Sequence, residues 1–173
     1  TRLTETISFY DPFTVLDTSA REWNFTPDAL YDEDTRLPSP LNWSPVTVGN
    51  WEHYVPNGEA SSPTFFADRK FSGDRGEVSL TIIDDIRQNT SSYRELGRRV
   101  YYSRNHAWDV VLYLHTRNGV DVIGRVYLTT SDETGLTYAL WMETPDDGSA
   151  TQVYQRILEP MVDSYAILSD PPV

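Results

Sequence analysis

Three β-rich segments between Trp108 and Thr144, joined by tight-turn signals, constrain this chain more than any other feature. Trp108–Thr116 (WDVVLYLHT) and Val120–Thr130 (VDVIGRVYLTT) flank Asn118-Gly119. Asn and Gly tolerate the positive φ of a type I′ turn, so the pair predicts a hairpin. Ser131–Gly135 (SDETG) turns the chain into Leu136–Thr144 (LTYALWMET). Strands joined this closely run antiparallel, which predicts a meander. Gly124 interrupts the second run and marks a possible bulge.

The flanking segments complete a single α+β pattern. Thr64–Phe71 (TFFADRKF) reads as a strand, Gly73–Gly76 (GDRG) as a turn, and Glu77–Asp84 (EVSLTIID) as a second strand with Val78, Leu80 and Ile82 alternating. Ser92 and Glu95 have the S-x-x-E spacing of a capping box, so a short helix is expected to begin near Ser92. After Ser149, the residues Val153, Tyr154, Ile157, Leu158, Met161, Val162 and Tyr165 recur at three and four, forming the apolar stripe of a helix. Pro160 falls inside that stripe and should kink the helix or end its first half. Ile167 and Leu168 could close the sheet as a strand stub. The order β-β-α-β-β-β-α implies an α+β fold, an antiparallel β-sheet flanked by helices.

Residues 1–63 read differently. They hold seven of the 11 prolines and three of the five tryptophans, with a local charge of −7. Proline at this density opposes helix interiors and central strands, whereas the many aromatics oppose disorder. The expectation is an extended irregular N-terminal arm over 1–63, lying on the globular body or on a partner, and a folded unit over 64–173. Trp23, Phe25 and Trp51 are the arm's candidate aromatic anchors for a partner.

Charge and composition exclude several functions. Twenty-six acidic residues against 14 basic ones leave −12 at pH 7, a field that repels nucleic acid and anionic lipid. With no cysteine, disulfides, thiolate-bound metals and thiol catalysis are ruled out. No apolar run approaches the roughly 18–20 residues that span a bilayer. The first residue is Thr1, so a processed or trimmed chain is expected, its targeting segment removed. Nucleotide-binding, serine-hydrolase and zinc-protease motifs do not occur. His53, His106 and His115 lack metal-ligand spacing, and His115 is expected to be an exposed strand-end histidine. Asp84-Asp85 and Asp146-Asp147 could contribute to a calcium site, or sit at element ends without an ion. Arg94, Arg98, Arg99 and Arg104 form the one basic concentration, with Arg94 and Arg98 four apart on the expected helix. These arginines could contact an acidic partner or pair internally.

From Thr64 to Leu168 the chain resembles the PsbP family. The resemblance rests on F-F-A-D-R-K-F, E-V-S-L-T-I-I-D, S-Y-R-E-L-G, W-D-V-V-L-Y-L-H-T-R-N-G and G-R-V-Y-L-T-T-S-D-E-T-G-L-T-Y-A-L-W-M, in that order, closing with Q-R-I-L-E-P-M-V-D-S-Y-A-I. Pro40 and Trp43 are similar to the family's P-x-x-W segment. The chain departs from the family in its acidic aromatic arm, its shorter link from Val100 to Trp108, and its single lysine, Lys70. The resemblance implies an α-β-α sandwich of the Mog/PsbP/DcrB type. It also implies a non-enzymatic extrinsic subunit or assembly factor, docked on a photosystem at the lumenal face of the thylakoid membrane. The same fold serves periplasmic lipoproteins, secretion chaperones and a Ran-binding protein, so a periplasmic binding module is the alternative. A calcium-assisted enzyme ranks third.

Overall fold

The computed structural model describes residues 25–31, 34–40, 42–48 and 51–170. Its strands are β1 (Phe25–Tyr31), β2 (Thr35–Pro40), β3 (Trp43–Val48), β4 (Trp51–Pro56) and β5 (Phe65–Ser72), then, after helix α1 (Arg75–Gln88), β6 (Ser91–Tyr102), β7 (Ala107–Arg117), β8 (Val120–Thr130) and β9 (Leu136–Pro145). The chain ends in α2 (Ala150–Val153), a π-helical turn (Tyr154–Leu158), α3 (Glu159–Ser164) and β10 (Ala166–Ile167). A seven-stranded antiparallel sheet runs β3-β4-β5-β9-β8-β7-β6, and a smaller sheet runs β1-β2-β10. The C-terminal helical segment packs on one face of the large sheet and α1 on the other, each over its own apolar cluster.

The meander forms as its turn chemistry requires. Asn118 and Gly119 take φ values of 52° and 78°, and β7 pairs with β8 without a register shift. Gly124 is therefore not a bulge. It lies opposite Tyr113, and a Cβ there would fall 2.1 Å from Tyr113 Cζ. The glycine makes room for a ring crossing the sheet face. Gly124→Ala is expected to cost about 2 kcal/mol by overpacking, read as a lower denaturation midpoint in urea. An unchanged midpoint would mean the ring moves aside freely.

Two elements differ from expectation. Glu77–Asp84 lies within helix α1, not in a strand. Val78, Ile82 and Ile86 are buried at intervals of four, with Ile83 beside them, whereas Leu80 is 63% exposed. Of the three alternating residues only Val78 and Ile82, four apart, lie on the buried helical stripe. Asp74 caps this helix, its side chain accepting from Glu77 N at 3.0 Å. Conversely, the segment from Ser92 is strand β6, not a helix. Ser92 has φ 57° and caps nothing, and pairing along β7 overrides the local spacing.

The C-terminal stripe is buried in full, from Val153 to Tyr165. Pro160 lacks the N–H that would reach the fourth residue back. The preceding turn widens to a π-turn, and Glu159 N–H donates to Tyr154 O. The helical course continues past the proline instead of stopping there.

The expected arm is extended and lies on the body, but as regular strands where it is described. The β3–β4 hairpin adds to the large sheet through β5. Its prolines suit this place, since Pro45 lies on the edge strand β3, where a missing N–H costs nothing in the ladder. The small sheet is tied down by Asp34, which accepts from Lys70 Nζ at 2.9 Å and Tyr138 Oη at 2.6 Å. Burial alone would raise the Asp34 pKa, but these hydrogen bonds and the lysine charge hold it below the usual value.

Candidate functional site

The four arginines lie on β6 and on the turn that follows it, at the end of the large sheet among the described strands. Arg94 and Arg98 do not share a face as they would on a helix. Register shifts flank Glu95, so Arg94 pairs with Leu114 and Arg98 with Val111, on opposite faces of the sheet. Arg98 forms a two-bonded pair with Glu95, both contacts at 3.1 Å, and reaches Ser79 Oγ on α1 at 3.4 Å. The Glu95 hydrogen bonds raise its pKa. Arg99 is 4.0 Å from Glu159, which Arg125 already holds at 2.8 Å. Arg94 and Arg104 are exposed and make no ion pair among the described residues. Arg98 thus fits the internal-pairing reading, and Arg94 and Arg104 the reading of cations presented to a partner.

The aromatic anchors divide otherwise. Trp51 is only 4% exposed, packed against Phe71 and Trp141 with Arg69 over its ring, so it is core and not an exposed anchor. Phe25 opens β1 opposite Pro40, and its side chain lies outside the described residues, as does all of Trp23. Beside β6, a groove of about 310 Å³ is lined by Arg75 and Ser79 of α1 and by Arg98, Val100, Asp109 and Val111 of the sheet. Arg75 spans it to Asp109 at 3.3 Å.

A second polar cluster is wholly interior. Glu143 on β9 is fully buried. It accepts from Tyr113 Oη at 2.5 Å, His115 Nε2 at 2.7 Å, Trp141 Nε1 at 3.1 Å, and Arg117 Nε and Nη2 at 2.9 and 3.3 Å. Burial alone would raise its pKa, but the His115 hydrogen bond and the Arg117 charge outweigh it, and the carboxyl sits below its ordinary value. An ionised carboxylate only accepts, so His115 Nε2 carries the proton. His115 is therefore a buried ligand of Glu143, not the exposed strand-end residue expected. The strand period of two was the available signal: Tyr113, His115 and Arg117 share one face of β7, Trp141 and Glu143 one face of β9. Four of the five donor contacts fall on Oε2 and one on Oε1, and the side chain has no exposed surface. The arrangement suits a structural clamp rather than an acid or base.

Among the described residues no three His, Asp or Glu side chains converge as a metal site. Asp84 and Asp85 are exposed on α1, and Asp147 caps its own turn by accepting from Ser149 N at 2.8 Å. No described helix is long and apolar enough to cross a membrane.

These features define an antiparallel sheet between helical layers, with a basic edge and a closed polar interior. The same architecture occurs in the Saccharomyces cerevisiae Ran-binding protein Mog1p (TM-score 0.57, 13% identity, covering 85% of this chain and 97% of that one). It occurs also in cyanobacterial PsbP (CyanoP) from Synechocystis sp. PCC 6803 (TM-score 0.56, 10% identity, 87% and 95%) and in LpqN, involved in cell envelope biogenesis of Mycobacterium tuberculosis (TM-score 0.50, 14% identity, 93% and 98%). No protein-family model matches the sequence, and no curated protein matches it significantly. The chain has the Mog1p/PsbP-type fold, and at these identities the likeness establishes the fold alone.

Proposed function

We propose that this chain is a non-enzymatic protein-docking module that binds an acidic partner surface through Arg94, Arg99 and Arg104. One observation carries this reading: in a chain of net charge −12, the arginines concentrate along one exposed sheet edge. Such a local field orients a partner, because the rest of the surface repels it. The full burial of Glu143 among hydrogen-bond donors supports a structural role for this polar cluster. The finer reading is an extrinsic subunit or assembly factor on a photosystem in the thylakoid lumen. The order of PsbP-like motifs from Thr64 onward and the fold shared with CyanoP support it. The fold shared with LpqN supports a periplasmic or cell-envelope setting as the second reading.

Arg94→Glu, Arg99→Glu and Arg104→Glu combined is expected to lower recovery of the chain with washed photosynthetic membrane complexes by about tenfold at low salt. Added salt should produce the same loss in the wild type as the exposed charges are screened. Equal recovery of variant and wild type would remove the arginine edge from the docking surface. Recovery with envelope fractions instead would favour the second reading.

A further inference from the structure

We propose, resting on the docking reading above, that β6 takes an extended acidic segment of the partner as an eighth strand of the large sheet. The two ends of that sheet are unequal. The β3 edge is six residues long and carries Pro45, whereas β6 is 12 residues long and, among the described residues, pairs only with β7. Beyond its register shifts, β6 runs regularly from Gly97 opposite Leu112 to Tyr102 opposite Ala107.

The hydrogen-bond phase says which backbone groups face outward. Ser103 N donates to His106 O at 2.9 Å, so that pair is a bonded one. Bonded and non-bonded pairs alternate along an antiparallel ladder. Tyr101 and Arg99 therefore bond inward to β7, whereas Tyr102, Val100 and Arg98 turn their N–H and C=O away from it. Three outward-facing residues at alternate positions are the template a new strand needs.

The side chains specify the occupant. Val100 and Tyr102 are 51% and 78% exposed. They share the α1 side of the sheet with Arg98, because their partners Asp109 and Ala107 lie two and four residues from Val111, which packs in the α1 cluster. Apolar residues of an incoming strand would extend that surface. Arg99 lies on the opposite face with Arg94, by the registers with Val110 and Leu114. Alternate acidic residues of the incoming strand would lie beside it. A second copy of this chain fits badly, since β6 against β6 brings two basic edges together within a pair of chains of −12 each. The segment favoured is thus apolar on one face and acidic on the other.

The test uses the full chain and two synthetic nine-residue peptides, one alternating valine with glutamate and the other valine with lysine. The glutamate peptide is expected to bind, and to slow amide exchange at Arg98, Val100 and Tyr102 while Arg99 and Tyr101, already bonded to β7, change little. Val100→Pro deletes one outward donor without touching the β7 ladder, and should weaken binding about fivefold to tenfold. Arg99→Glu should shift preference toward the lysine peptide. Binding that Arg99→Glu abolishes but Val100→Pro leaves intact, with no slowed amides, overturns strand addition while the docking reading stands. Failure of the wild type to bind the glutamate peptide also overturns strand addition, and membrane recovery of the triple arginine variant then judges docking separately. Concentration-dependent dimers lost in Val100→Pro overturn it in favour of a second copy.

Discussion

Glu143→Ala is expected to lower the stability of this protein by about 3–5 kcal/mol, the range for breaking a buried charge pair by deleting one partner. The variant leaves His115 with neither ring nitrogen bonded, because His115 Nδ1 already lacks a partner among the described residues. It also leaves the Arg117 guanidinium over Phe65 and Trp141 without its carboxylate. Trp141 Nε1 keeps the Tyr113 hydroxyl, so part of the network survives. Arg117, with a side chain 19% exposed, can turn toward water and soften the loss. The measurement is urea denaturation with the slope checked for constancy. A loss below about 1 kcal/mol would show that the carboxylate is not a clamp. Glu143→Met with Arg117→Met should recover much of the stability, because removing both charges leaves neither stranded. Loss in the double variant equal to the single would assign the cost to shape alone.

The second large effect is a dependence of stability on acid, centred on His53. This ring stacks on Phe65 at 4.3 Å and meets the edge of Trp141 at 5.1 Å. Its Nε2 is buried without a hydrogen-bond partner among the described residues. Burial first, and the Arg117 charge second, push its pKa down from 6.5 to about 4, with Glu143 opposing. The unfolded chain therefore takes up this proton more readily than the folded one between those pH values. Stability contributed by neutral His53 is complete above pH 6.5 and is lost progressively as pH falls toward 4, by up to about 3 kcal/mol. His106 acts in the same direction, since burial lowers its pKa despite the pull of Asp170. His53→Phe keeps an aromatic ring in the stack and removes the proton. The stability difference between His53→Phe and wild type should grow by about 3 kcal/mol in favour of the variant from pH 7 to pH 4. Parallel pH profiles would show that water reaches the imidazole. The Glu143 carboxyl adds its own loss at still lower pH, as protonation weakens its bonds to His115 and Arg117.

The Glu143 centre and the basic edge were unequally legible. The arginines are visible as a count in the sequence, but their division into paired Arg98 and open Arg94 and Arg104 depends on which residues Glu95 and Glu159 face. Glu143 hides in an apolar strand, and its significance appears only when β7 brings His115 and Arg117 beside it. Trp51 reads as a ready anchor in a proline-rich stretch, yet β5 and α1 close over it.

What the chain alone determined is the part written in contacts between near neighbours. The Asn118-Gly119 hairpin, the strands on either side, and the Val153–Tyr165 stripe form as their spacing requires, because turn conformation and helical period are properties of short segments. The order of these elements was enough to imply an antiparallel sheet between helices. Tertiary structure alone decided the rest. β6 became a strand because β7 offered it a ladder, and residues 43–56 became part of the sheet because β5 had an open side. Glu143 stays charged in the interior because five donor contacts from three side chains of β7 and one of β9 converge on it, a balance of desolvation against hydrogen bonding that exists only once distant residues meet.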